Sequence, residues 1–199
     1  MKELFKNKNY VFMMFSFMFL FGIYTNLGLV LSPLFLPYGY TIGEISIIGM
    51  VFITFGLIGT IVAGKVIDKT KKSLLTLRVV CASSAITLGL CALTVPTNEL
   101  TYVLITICAA GFCVIPIITV CFSFAGELTY PIPPSLPNGI MMMFAQGFTF
   151  IMVFVSIGII NKFGSTWTMV LYSASAGLAF LFSTFISLDL KPVKQRNSS

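Results

Sequence analysis

Long apolar runs separated by short polar punctuation make up this chain, and each run has the length of a membrane-crossing helix. A hydrocarbon core about 30 Å thick needs about 20 mainly apolar residues at helical rise. Six stretches meet that requirement: 9–31, 45–67, 74–95, 100–124, 137–160 and 166–188. None alternates with the period of two that a barrel strand needs, and each is about twice a barrel strand's length. Oxygen-bearing side chains stand where helix starts need them. Thr41 and Glu44 have capping-box spacing, Thr97 and Asn98 precede the fourth run, and Ser135 precedes the fifth. The pattern predicts an all-α membrane domain over 9–188, with residues 1–8 ahead of it and a tail at 189–199.

Composition excludes the soluble alternatives. With 57% hydrophobic and 9% charged residues and a mean hydropathy of +1.01, the chain has too few charges to coat a water-facing surface. The opening run resembles a signal peptide in its basic start, but it is too long and lacks a small-residue cleavage site, so it is read as the first span. The formal charge of +6 does not imply nucleic acid, because the basic residues sit in clusters between apolar runs and build no basic face. Their placement sets the orientation. Lys2, Lys6 and Lys8, then Lys65, Lys69, Lys71, Lys72 and Arg78, then Lys191, Lys194 and Arg196 fall on one side, against Lys162 alone on the other. The positive-inside rule therefore predicts that both termini are cytoplasmic. Five cysteines lie inside apolar runs without metal-ligand spacing, and there is no histidine. No cofactor is expected, and with no nucleophile–base pair or metal site an enzyme is not expected.

Polar residues deep in the spans are the informative ones, since a polar group in lipid costs free energy unless it is paired or faces a cavity. In the first span Gly22, Thr25, Asn26 and Pro33 share one face, with Phe21 and Tyr24 close by. In the fifth, Asn138, Ala145, Gln146, Thr149 and Ser156 do the same, and Gln146 falls near mid-depth. These faces either meet water and a ligand or pack helices together. Packing is the favoured reading for Thr149 and Ser156; for Gln146 and Asn26 the two readings stand equal. Gly59 with Ala63, and Ser173 with Gly177, have the spacing of close helix contacts.

The loop "GKVIDKTKK", Gly64 to Lys72, carries Asp68 among four lysines, and Glu127 closes the fourth run on the same side. An ion-pair latch between Glu127 and Lys65, Lys69 or Arg78 is the predicted use of these charges; the alternative is a set of solvated interface charges worth little individually. A faint echo links "VIDK" (Val66 to Lys69), closing the second run, to "IINK" (Ile159 to Lys162), closing the fifth. This is expected if triplets of helices repeat with inverted topology.

These features resemble the major facilitator superfamily, and within it the carboxy-terminal half of the feline leukaemia virus subgroup C receptor-related family, solute carrier family 49. The stretch "FAGELTYP" (Phe124 to Pro131), followed by Gly139 and by Ala145–Gln146, is similar to that family's pattern at the junction of its tenth and eleventh helices. "GKVIDKTKK" is similar to the superfamily's loop between helices eight and nine. Where the family has an acidic, serine-rich connection, this chain has "IPPSLPN".

The resemblance implies two inverted three-helix repeats equal to half of a facilitator, and transport of a small organic cation, choline-like or a related amine, with haem also proposed, by alternating access. It implies that Gln146 meets the substrate, with Phe21 in the place of a family tyrosine, keeping the ring and losing the hydroxyl. Tyr24, one turn away, is placed to compensate, and Asn26 joins them as a candidate. A quaternary ammonium offers no hydrogen-bond donor but is drawn to ring faces. Twelve helices are needed around such a pocket, so besides the lipid bilayer and the substrate the expected partner is an amino-terminal six-helix half or a second copy of this chain. The plasma membrane is expected over an organelle. The alternative function is a non-transporting membrane receptor or assembly subunit.

Overall fold

The computed structural model describes residues 4–5, 7–97 and 99–186; Lys2, Lys6, Asn98 and the tail with Lys191, Lys194 and Arg196 lie outside the described residues. Among the described residues six helical spans are long and apolar enough to cross a membrane: Lys8–Leu29, Ile42–Thr70, Ser73–Thr97, Leu100–Thr129, Ser135–Phe163 and Ser165–Thr184. No strand occurs among the described residues. The chain is an integral, multi-pass membrane protein.

Local chemistry sets the ends of these spans. Thr41 Oγ1 accepts from the Glu44 amide at 3.3 Å while Glu44 Oε2 accepts from the Thr41 amide at 2.8 Å, a complete capping box at the start of the second span. Asn7, outside the expected first span, caps it by accepting from the amides of Asn9 and Tyr10. Ser135 is the first helical residue of the fifth span, preceded by Pro134, and not the residue before it. The fourth span differs from the unbroken helix expected. It is Leu100–Val114 followed by Ile117–Thr129, because Pro116 has no amide hydrogen to continue the ladder.

Packing follows a two-fold pattern. The first span lies against the fifth and sixth, the fourth lies against the second and third, and the third and sixth pair with each other. Exchanging spans one, two and three for four, five and six maps this arrangement onto itself, which is the mark of an inverted repeat. Close approach within each set depends on glycine. A Cβ on Gly59 would strike the Phe112 carbonyl and one on Gly111 the Phe52 carbonyl, so the second and fourth spans touch backbone to backbone. In the other set, a Cβ on Gly22 would lie 2.7 Å from the Phe148 ring. Ser173 makes the contact expected of it, donating to the Ala85 carbonyl at 2.9 Å, whereas Gly177 faces open space.

Coverage is uneven. The window of highest coverage, in the first span, is 56% buried, while those of the second and fifth are 28% and 22% buried. The fifth span exposes Met143, Gln146, Gly147, Phe150 and Phe154 along one side, with Ala145, Thr149, Met152 and Ser156 buried on the other.

Candidate functional site

The polar arc expected on the fifth span divides. Ala145, Thr149 and Ser156 are buried, and Thr149 Oγ1 donates to its own Ala145 carbonyl at 2.9 Å, so this edge of the arc packs helices. Gln146 is exposed on the other edge, close to the middle of a 29-residue helix, and its amide has no hydrogen-bond partner among the described residues. An amide in that position needs either water or a partner from outside this six-helix unit.

Asn26 stands elsewhere. It is fully buried, and its Oδ1 accepts from the Tyr172 hydroxyl at 2.7 Å; Ser156 Oγ lies 3.1 Å from the same hydroxyl. Asn26 Oδ1 thus belongs to a polar knot joining the first, fifth and sixth spans, while its Nδ2 is buried without a hydrogen-bond partner among the described residues. The physical reason lies in its helix. Asn26 falls on the inward side with Ile23 and Leu27, while the flanking Tyr24, Thr25, Gly28 and Leu29 stay partly or fully open. Tyr172 carried no sequence signal, since one tyrosine in an apolar span reads as core.

The aromatic residues fall in layers. Phe21 is 5% exposed, stacks on Phe17 with ring centres 5.2 Å apart and meets Tyr24 edge to face at 5.9 Å. Tyr24 is half-buried and stacks towards Phe52 of the second span at 6.3 Å. It lines a cleft of about 310 Å³ between the first two spans, with Thr25, Gly28, Gly49 and Phe52. Tyr24 is therefore the ring that reaches an open surface, and Phe21 backs it. Phe52 was not singled out from sequence, because a phenylalanine in so apolar a run carries no signal of its own.

Among the described residues Glu127 makes no ion pair with Lys65, Lys69 or Arg78. Glu127 Oε1 accepts from Ser73 Oγ at 2.8 Å, and no cation reaches it among the described residues. Arg78 donates instead to the carbonyls of Ser183 at 3.3 Å, Thr184 at 3.2 Å and Ile186 at 3.0 Å, holding the end of the sixth span. Helix geometry explains both partners. Ser73 and Arg78 are five residues apart, about 140° around their helix, so a helix that points one at Glu127 points the other away. Lys65, Asp68 and Lys69 are exposed at the end of the second span, and none of them reaches Glu127. Two further bonds tie the same end together: Tyr10 donates to the Pro137 carbonyl at 2.7 Å and Asn7 to the Leu128 carbonyl at 3.2 Å.

No family model matches the chain. It is 23% identical over 195 residues to an uncharacterised MFS-type transporter of Caenorhabditis elegans, covering 98% of this chain and 33% of that one. It is 27% identical over 191 residues to the choline/ethanolamine transporter FLVCR2 of Rattus norvegicus, covering 95% and 35%. A third relative, solute carrier family 49 member A3 of Xenopus tropicalis, is 29% identical over 149 residues, covering 73% and 30%. The chain spans about a third of the length of the curated relatives it matches. These relatives are transporters, not enzymes.

Proposed function

We infer that this chain, whose homologues are major-facilitator-type transporters with solute carrier family 49 among them, forms one half of a carrier for a small organic cation. The observation that carries the reading is Gln146, an unpartnered amide near mid-span on the least covered of the six helices. Facing lipid it would cost free energy without return; facing a wetted cleft between two six-helix units it becomes a hydrogen-bonding group for a ligand. Tyr24 offers a ring with an open edge, suited to a quaternary ammonium. Phe21 holds that ring from behind. Asn26 joins spans through its Oδ1, which accepts from Tyr172.

Choline or ethanolamine is the favoured cargo, because FLVCR2 of Rattus norvegicus bears those names; nothing in the relatives' names extends the reading to haem. The second six-helix unit is an amino-terminal half or another copy of the chain. Movement is by alternating access between the two units, with the basic loop and both termini on the cytoplasmic side of the plasma membrane. Glu127, held by Ser73, is available to a cation of the other unit, which is where a latch would close.

Uptake of labelled choline in cells expressing the assembled protein tests the reading. Gln146→Ala should reduce uptake by about ten-fold or more at unchanged surface expression, as expected for a lost hydrogen bond of 1.4 kcal/mol or more. Uptake no greater than in cells lacking the protein favours the non-transporting receptor or assembly subunit, and protein-dependent uptake that is insensitive to Gln146→Ala and Tyr24→Leu alike would overturn the placement of the site.

A further inference from the structure

The lysines of the basic loop have no carboxylate partner among the described residues, and beside them opens the larger of the two clefts described. It encloses about 510 Å³ between the second, third and fourth spans. Gly59, Ala63 and Val66 form one wall, Phe112 lies at its inner end, and Lys72 stands at its mouth. The cavity arises because the second and third spans are joined by only Lys71 and Lys72 and then part, while the glycine that draws the second span onto Phe112 leaves no side chain to fill the gap. From Gly59 to Thr70, both on its lining, is eleven residues, or about 16 Å of helix. That depth reaches from a bilayer surface about halfway through its hydrocarbon core.

The chain beside the mouth is strongly positive. Lys72 lines the cleft, and Lys65, Lys69 and Lys71 precede it; all four are exposed and within 65–72 are offset by Asp68 alone, leaving a local charge of +3 (four lysines less one aspartate) over eight residues. None has an ion pair among the described residues. An apolar slot of acyl-chain depth with Lys72 at its mouth and three more exposed lysines within the seven preceding residues matches a molecule with one charged end and a hydrocarbon body. We propose that this cleft is a binding site for an anionic phospholipid, with one acyl chain in the slot and its headgroup held by Lys69 and Lys72. A zwitterionic lipid fills the slot equally well but gains nothing at the mouth, where each lysine favours an anionic headgroup by about five-fold. The site lies apart from Gln146 and Tyr24, so it does not depend on what the chain transports.

Native mass spectrometry of the protein purified from micelles containing equal phosphatidylserine and phosphatidylcholine reads this directly. Phosphatidylserine should be retained over phosphatidylcholine by at least ten-fold. Lys69→Gln with Lys72→Gln should bring the ratio near one, with helix content and melting midpoint unchanged. Val66→Phe and Val79→Phe, at positions 42% and 59% exposed, should each fill the slot and lower retention of both lipids without unfolding the chain. Equal retention of the two lipids, a preference that survives the double lysine variant, or retention unaffected by both slot-filling variants would each overturn the proposal. So would displacement of the lipid by excess inorganic phosphate, which would mark a plain anion site with no place for the chain.

Discussion

Asn26 and Gln146 began as equal candidates on two polar arcs, and their different fates follow from burial. A polar arc about 100° wide on a helix spans the boundary between a packed and an open side, and hydropathy cannot locate that boundary within it. Asn26 fell inside, where the Tyr172 hydroxyl, itself beside Ser156, donates to it, and Gln146 fell outside, where nothing does. The inner cluster makes a prediction of its own. Tyr172→Phe removes the hydroxyl from Asn26 Oδ1 and should destabilise the protein by about 1 kcal/mol, the usual scale for a hydrogen bond between membrane helices, read as a lower melting midpoint in detergent. Choline uptake should persist in this variant. An unchanged midpoint would mean that Asn26 finds another donor.

The helices themselves were the most legible part of the chain, because length and hydropathy suffice in lipid, where every backbone group must be satisfied within its own segment. Thr41 and Glu44 formed the capping box their spacing announced. Pro116 lies inside an apolar run long enough to span without a break, so hydropathy alone hides the interruption it makes. The charge latch misled for a different reason: spacing along the chain says which residues share a loop, not which way each helix turns them. Glycine contacts separate by the same logic into those that matter and those that do not. Gly59→Leu and Gly111→Leu must push the second and fourth spans apart, and each should cost more than about 2 kcal/mol as an overpacked contact. Gly158→Leu, with nothing within 4 Å of its added carbon, should be tolerated. Expression level and melting midpoint of the three variants check the contrast.

At the scale of the whole molecule, the uneven cover of the spans becomes a statement about surroundings. Ile86 of the third span and Gln146 of the fifth are both exposed near the middle of their helices, and nothing within the six-helix unit distinguishes them. Lipid should cover the first and an aqueous cleft the second if two such units close around a substrate. A thiol reacts as its thiolate, which an apolar environment suppresses, so accessibility to water is readable as chemistry. In a cysteine-free background, a membrane-impermeant maleimide should label Gln146→Cys at least about ten-fold faster than Ile86→Cys, and choline should slow the first reaction but not the second. Equal and slow labelling at both positions would place Gln146 against lipid or a dry interface. The amide would then be a helix-packing residue, and the non-transporting reading would follow from the same six helices without any change to their fold.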